Sequence, residues 1–189
     1  MVRKMTFTRL SDGTREEYQY LAEVEHTVHG RMVNDVLELF RSIASSDSGY
    51  ALDPYRHSLQ TATRAFRDGA DEETVVVALL HDMGDRISPD NHGEVAAGVL
   101  RPFVSENHCW LLRHHPIFQG YFYYHHVGKD RNARETFRGH PAFQMTADFC
   151  ERWDSISFDS TYDSMPIEEF EPIVRRILSR EPFANRRAA

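Results

Sequence analysis

The chain has 189 residues, of which 41% are hydrophobic and 12% aromatic, and its formal net charge is −7 at pH 7. This length and apolar content predict one globular domain with a sizeable core, and the negative charge argues against a nucleic-acid or membrane-surface partner. No apolar stretch approaches the ~20 residues of a membrane span, and Met1 to Leu10 has no signal-peptide core. Cys109 and Cys150 are too few for a disulfide framework, so we expect two buried thiols in a cytoplasmic protein.

The first part of the chain predicts an irregular arm followed by a helix. Residues 1–22 show no period that would indicate a regular element. From Glu23 to Ile43, apolar residues keep helical spacing with polar residues between them, which is typical of an amphipathic helix. The serine-rich stretch 45–49 predicts a loop.

Two helices with clear start signals follow. Asp53-Pro54 has the form of a helix N-cap followed by proline at the first helical position, and Gly69 ends that helix. Asp71 is the predicted cap of the next helix. An apolar run, residues 74–80, leads from this cap to the pair His81-Asp82.

The remaining elements are also predicted to be helical. His92 begins a helix that stops near Pro102, and the aromatic run 121–126 fits helix better than strand in this all-helical context. Residues 129–138 are charged and predict a loop. Residues 141–153 resume helical spacing, and a last helix runs from Pro166 to Leu178.

A histidine and an aspartate at the end of an apolar run form the central feature of the sequence. Burial of two polar side chains without partners costs a few kcal/mol, so something must satisfy His81 and Asp82. Imidazole and carboxylate ligands without thiolate suit iron, manganese or zinc. Adjacent helical residues point about 100° apart, so each side chain can bind one of two metals or Asp82 can bridge both. Further candidate ligands are His57, His92, the His114-His115 pair and Asp154.

His57, the His81-Asp82 pair and Asp154 resemble the four-point signature of the HD-domain superfamily, over about residues 45–160. The resemblance implies an all-α fold, a single HD-domain helical bundle spanning residues 1–189 with its core at about 23–180. This superfamily includes metal-dependent phosphohydrolases and a smaller branch of mixed-valent diiron oxygenases.

Two further histidines favour the oxygenase branch. His92, in His-Gly-Glu-Val-Ala-Ala-Gly-Val-Leu, and His115 resemble the additional ligands of dinuclear HD proteins, and the chain is similar to oxygenases that cleave the carbon–phosphorus bond of 1-hydroxyphosphonates, relatives of myo-inositol oxygenase. The motifs His57-Ser-Leu-Gln and Trp153-Asp154 contribute to this similarity. The resemblance implies two iron ions, Fe2+ and Fe3+, with dioxygen as co-substrate. One iron would be bound by His57, His81 and Asp154 and the other by His92 and His115, with Asp82 bridging and His114 as the competitor of His115.

The chain departs from those oxygenases at the substrate. Asp85 stands where they have the second histidine of His-Asp-x-Gly-His, and Tyr50 and Tyr55 are the nearest candidates for their upstream gating and substrate residues. An aromatic side chain suits a methylated ammonium better than a primary amine. The resemblance therefore implies (R)-1-hydroxy-2-(trimethylammonio)ethylphosphonate as substrate, with glycine betaine and phosphate as products.

Other candidate residues have two interpretations each. Gln119 and a set of cations could hold a small anionic or zwitterionic phosphonate, although a solvated charged loop is the better explanation for any single one of the cations. These cations are Lys129, Arg131, Arg134 and Arg138. The aromatic run 121–124 is either core packing or a pocket lid, and His125 and His126 are either surface residues or partners that orient metal ligands.

Two other functions remain open. A phosphohydrolase would act on a phosphate ester or nucleotide without dioxygen, and a metal-stabilised binding module would have no activity. The paired extra histidines favour the oxygenase. The oligomeric state is not indicated by the sequence.

Overall fold

The computed structural model describes residues 3–45 and 49–184, apart from the side chains of His26 and His29. These residues form helices and connecting turns without any strand, so the predicted all-α class is confirmed. The α-helices are α1 (Arg15–Ser42), α2 (Pro54–Arg67), α3 (Glu72–Leu80), α4 (His92–Leu100), α5 (Glu106–Tyr123), α6 (Phe143–Phe149) and α7 (Ile167–Leu178).

The first helix begins well inside the predicted irregular arm. Thr14 and Glu17 form a capping box, in which the Glu17 backbone N–H donates to Thr14 Oγ1 at 3.3 Å and the Thr14 N–H donates to Glu17 Oε2 at 2.9 Å. This local exchange starts the helix before any apolar period appears, so the predicted arm is wrong from Arg15 onward. Of the loop predicted at 45–49, residues 46–48 lie outside the described part of the chain.

The start signals of α2 and α3 are confirmed. Asp53 Oδ1 accepts a hydrogen bond from the Arg56 backbone N–H at 2.9 Å, and Pro54 is the first helical residue. Asp71 Oδ1 accepts in the same way from the Thr74 N–H at 2.9 Å. Gly69, between the two helices, has a φ of 78°, which only glycine adopts without strain.

Helix α3 is the centre of the core. Its residues from Val75 to Leu80 are each at most 1% exposed, which explains why the run is apolar on all sides. Helices α2, α5 and α7 pack around it, and α4 packs on α5. Both cysteines are buried, as expected. Within the described residues, no helix is both long and apolar enough to cross a bilayer.

The second half of the chain is more irregular than the sequence predicts. Helix α5 continues to Tyr123 and is followed by a 3-10 turn at Tyr124–Val127, so the helical interpretation of the aromatic run is confirmed. The predicted loop contains a 3-10 helix, Ala133–Phe137. Helix α6 ends in a π-helical turn, Cys150–Asp154, closed by a bond from the Ser155 N–H to the Cys150 carbonyl at 2.9 Å.

Candidate metal centre

Six side chains from five elements meet at the C-terminal end of α3. Five of them are buried, and His92 is partly exposed. We call this group the metal cluster: His57 from α2, His81 and Asp82 after α3, His92 from α4, His115 from α5 and Asp154 from the π-helical turn. These are the six residues that the sequence predicts as metal ligands.

Asp82 lies between two pairs of histidines. Its Oδ2 is 3.5 Å from His57 Nε2 and 3.2 Å from His81 Nε2. Its Oδ1 is 3.4 Å from His92 Nε2 and 3.2 Å from His115 Nε2. The two oxygens of one carboxylate therefore face different pairs of imidazoles, so the groups around Asp82 could hold a metal ion on either side of it.

We use the term first metal position for the candidate site at His57 and His81, which has an additional carboxylate, and second metal position for the candidate site at His92 and His115. Asp154 Oδ1 lies 3.2 Å from His57 Nε2 and 3.6 Å from His81 Nε2. These three residues form one group of possible ligand atoms within 4.8 Å of one another. The second position consists of His92 and His115, whose Nε2 atoms are 3.2 Å apart, together with the shared Asp82.

In all four histidines, Nδ1 forms a hydrogen bond with a backbone carbonyl oxygen. A ring nitrogen that donates to a carbonyl carries the proton, so in neutral imidazole the lone pair is left on Nε2, as in most metal-bound histidines. The acceptors are Ser157 O for His57 (2.9 Å), Ala78 O for His81 (2.9 Å), Pro89 O for His92 (2.8 Å) and Leu112 O for His115 (2.8 Å).

If both rings were neutral, this arrangement would leave their electron pairs facing one another. The Nε2 atoms of His57 and His81 are 3.3 Å apart, so either a protonated ring or a metal must satisfy them. Asp154 Oδ1 is buried and has no hydrogen-bond partner. A buried polar atom without a partner is costly, whereas a divalent cation satisfies all of these atoms at once. The donor set, imidazole and carboxylate without thiolate, fits iron, manganese or zinc.

The charges of the cluster are mutually dependent. Burial would raise the pKa of Asp82, but His81 and His115 outweigh it and hold that pKa well below its usual range. Burial likewise opposes protonation of His81, yet Asp82 and Asp154 raise its pKa well above the usual value. Burial lowers the pKa of His115. Burial and the charge of Asp82 raise the pKa of Asp85.

Pro116 explains how α5 presents His115. A proline inside a helix has no N–H for the carbonyl four residues earlier, which here is that of Leu112. His115 Nδ1 donates a hydrogen bond to this carbonyl instead. Gly93 packs on the same atom, because a Cβ at that position would lie 2.3 Å from Leu112 O. The pair His115-Pro116 and the glycine after His92 are thus local signals for the second metal position.

The π-helical turn and the segment after it hold the first metal position together. The extra residue in the turn directs Asp154 into the core beside His57. Ser157 then supplies the carbonyl for His57, and Gln60 exchanges two hydrogen bonds with the backbone of Asp159, at 2.7 and 3.1 Å. Residues 154–159 are therefore fastened to α2 at two points.

A cavity of about 200 Å³ opens over the metal cluster. Outside the metal cluster, its wall includes three aromatic side chains and the carboxylate of Asp85, and among the described residues no lysine or arginine lines it. The lining residues are Tyr50, Leu52, Pro54, His57, Asp82, Asp85, His92, Gln119, Tyr123 and Phe158. Three of the residues predicted to contact substrate or act in catalysis, Tyr50, Asp85 and Gln119, therefore reach the cavity.

Other predicted residues lie elsewhere. Tyr55 packs on Phe40 in the core with 4.9 Å between ring centroids. Lys129 lies over the ring of Tyr124, and Arg138 pairs with Glu135 on the surface. The positions of Tyr55, Lys129 and Arg138 outside the cavity wall give no support to a role in substrate binding.

His114 and the two remaining arginines also point away from the cavity. His114 stacks on Trp110 at 4.0 Å and its Nδ1 faces the Trp110 carbonyl, so α5 brings His115 and not His114 to the metal cluster. The guanidinium groups of Arg131 and Arg134 both lie over Tyr121, at 4.3 and 3.7 Å from its centroid.

Two of the cavity residues, Leu52 and Phe158, were not singled out from the sequence, and of these Phe158 contacts a metal-cluster histidine. Its ring stacks on His57 with 4.5 Å between centroids, and its centroid is 4.9 Å from that of Tyr50. It lies in an irregular segment, where no period indicates which side chains point inward. Its position four residues after Asp154 was the only available signal.

Neither the family models nor the curated proteins compared with this chain give a match.

Proposed function

We propose that this protein is a mixed-valent diiron oxygenase of the HD-domain superfamily that cleaves the carbon–phosphorus bond of a small 1-hydroxyphosphonate. The observation that carries the proposal is the position of Asp82, whose two oxygens face two separate pairs of imidazole nitrogens at 3.2–3.5 Å. Bridged pairs of metals with open positions serve catalysis, whereas structural sites close around one metal.

The cavity wall supports a substrate with a cationic group. Tyr50, Tyr123 and Phe158 offer aromatic ring faces, which attract quaternary ammonium groups, and Asp85 adds a carboxylate. Because no lysine or arginine is found among the described lining residues, an anionic phosphonate would have to be bound at the metals. The best candidate is (R)-1-hydroxy-2-(trimethylammonio)ethylphosphonate, which carries both groups on a short chain.

The proposed reaction balances with dioxygen alone. The C1–H and C1–P bonds break, both oxygen atoms enter the products, and one hydroxyphosphonate with one O2 gives one glycine betaine and one phosphate without an external reductant. Bound iron would supply the activation of dioxygen and the oxidation at C1. The protein would hold the ammonium end against Tyr50 and Phe158, orient C1 toward the metal cluster, and limit access of water with the aromatic rings.

The alternative is a metal-dependent phosphohydrolase acting on a phosphate ester or nucleotide. The same ligands could hold two metals that activate water. The size and charge of the cavity argue against a nucleotide, since about 200 Å³ is below the usual range for ligands of drug size and no described lining residue would bind additional phosphates.

The test measures oxygen uptake and phosphate release on iron-loaded protein with two substrates that differ only in three methyl groups. We expect one O2 consumed per phosphate released, with (R)-1-hydroxy-2-(trimethylammonio)ethylphosphonate preferred over its primary-amine analogue. In Tyr50→Ala the KM for the trimethylated substrate should rise more than that for the primary amine. Phosphate release from an ester under nitrogen, without O2 uptake on either phosphonate, would replace the oxygenase by the phosphohydrolase.

A further inference from the structure

Gln119 connects the cavity wall to a buried metal ligand. Its side-chain amide N–H donates to Asp154 Oδ2 at 2.7 Å, and the residue also lines the cavity. Helix α5 places Gln119 one turn after His115, so both side chains lie on the same face of the helix. One helix therefore supplies a ligand of the second metal position and contacts a ligand of the first.

This hydrogen bond makes the two oxygens of Asp154 unequal. Oδ2 is occupied by Gln119, whereas Oδ1 has no hydrogen-bond partner and lies 3.2 Å from His57 Nε2 and 3.6 Å from His81 Nε2. A buried carboxylate that is free to rotate can present either oxygen, or both, to a metal. A carboxylate held through Oδ2 presents Oδ1.

We infer that Gln119 is a positioning residue that fixes Asp154 as a one-oxygen ligand of the first metal position. This role deepens the proposed function, because it requires a metal at that position, but it does not depend on which reaction follows. A carboxylate that bound the metal through one oxygen would leave more of the metal's coordination sphere open than one that bound through both oxygens. Loss of such a supporting hydrogen bond typically weakens metal binding about 10- to 100-fold.

The test compares the two metal positions in single-position backgrounds. His115→Ala removes a ligand of the second position, and His57→Ala removes one of the first. Metal-free protein is titrated with Co²⁺ under nitrogen, and binding is followed by visible absorbance. We expect Gln119→Leu to weaken Co²⁺ binding about 10- to 100-fold in the His115→Ala background and to leave it unchanged in the His57→Ala background. Gln119→Glu, which has no N–H and repels Asp154, should weaken it further in the first background.

A matched control comes from a second glutamine–aspartate pair. Gln144 donates to Asp148 Oδ1 at the same distance, 2.7 Å, on an exposed face of α6. Gln144→Leu should leave both Co²⁺ affinities unchanged, and thermal melts of the metal-free variants check that each is folded. Because Gln119→Glu keeps the size of the side chain, it serves as the test should Gln119→Leu fail to fold.

The outcomes separate the inference from the proposed function. Equal weakening in both backgrounds would indicate a general structural role and would overturn the inference, as would unchanged binding at the first position. If the wild type bound no Co²⁺, both proposals would fall. Selective weakening in a protein without oxygenase activity would support the role of Gln119 and refute the proposed reaction.

Discussion

Two clusters of histidine and carboxylate groups lie at opposite ends of α3, and only one of them has the features of a metal site. The second one, which we call the cap cluster, consists of Glu73, Thr74, Ser105, His108 and Arg180. It joins the start of α3, the start of α5 and the end of α7. Both clusters bury a histidine that contacts a carboxylate, although Glu73 and Arg180 of the cap cluster are only partly buried. A buried histidine beside a carboxylate is therefore not by itself the mark of a metal site.

The difference lies in the hydrogen bonds of the imidazoles. In the cap cluster, His108 Nδ1 is 2.7 Å from Glu73 Oε1 and Nε2 is 3.0 Å from Thr74 Oγ1, so both ring nitrogens have a partner of their own. Glu73 is satisfied as well, by the Ser105 N–H at 2.6 Å and by Arg180 at 2.6 Å. In the metal cluster, four Nε2 atoms share Asp82 and lie 3.2–3.3 Å from one another in pairs. Convergence of several ring nitrogens on a shared carboxylate is therefore the informative signal for a metal.

We expect the largest difference in iron binding between the two clusters when their carboxylates are substituted, starting with Asp82. Because it is the one carboxylate that faces all four Nε2 atoms of the cluster, Asp82→Asn should lose metal at both positions, which we would measure as iron per chain after anaerobic loading. The matched substitution in the cap cluster, Glu73→Gln, should leave iron content unchanged. Full iron content in Asp82→Asn would contradict the bridging role.

The two adjacent histidines of α5 provide a second comparison. His115→Ala should lose the metal at the second position, about half of the bound iron, because His92 and Asp82 alone make a poor site. His114→Ala should retain all of it, since that ring stacks on Trp110 outside the cluster. Metal analysis of the two variants is sufficient. If His114→Ala lost iron and His115→Ala retained it, His114 and not His115 would be the ligand.

We expect the cap cluster to contribute to the free energy of unfolding, and that contribution to depend on pH. Burial tends to raise the pKa of Glu73, but hydrogen bonds from His108, Ser105 and Arg180 lower it to about 2, from an ordinary 4.5. The charged carboxylate therefore contributes stability above pH 4.5 that is lost as the pH falls toward 2. Glu73→Gln should cost about 2 kcal/mol in the free energy of unfolding near pH 7.

Urea unfolding at several pH values measures this contribution in metal-free protein. The difference between wild type and Glu73→Gln should shrink as the pH falls below about 5. A difference that stayed constant down to pH 2 would mean that the charge of Glu73 is not what stabilises the cap cluster.

The smallest expected effect concerns Pro116. Pro116→Ala restores an N–H that competes with His115 Nδ1 for the Leu112 carbonyl. We expect a more stable helix α5, measured as a higher melting temperature of the metal-free protein, together with weaker metal binding at the second position. Tighter metal binding in this variant would show that the proline does not serve to orient His115.

Helix positions could be predicted from the sequence where local signals such as N-caps and apolar periodicity determine the structure. The N-caps Asp53 and Asp71 and the apolar run of α3 are local or periodic features, and the structure confirms them. The start of α1 was misplaced because the capping box of Thr14 and Glu17 precedes the apolar period. The six metal-cluster residues are predicted from their types and from the resemblance to the HD-domain signature, neither of which gives the distances between them.

The cavity wall could be predicted only in part because it depends on how loops pack. Tyr55 follows Pro54 on α2 and turns into the core, while Phe158 enters from an irregular segment that Gln60 fastens to α2. Lys129 and Arg138 lie in a charged segment whose sequence fits a solvated surface better. The positions of these side chains depend on tertiary contacts, which cannot be predicted from composition or from the periodicity of apolar residues.

Metal analysis combined with electron paramagnetic resonance on anaerobically purified, iron-loaded protein tests the central claim most directly. We expect two irons per chain and, after partial oxidation, the signal of a coupled Fe(II)/Fe(III) pair that changes when the hydroxyphosphonate is added. One iron per chain, or two irons without magnetic coupling, would contradict a centre in which Asp82 bridges two metals.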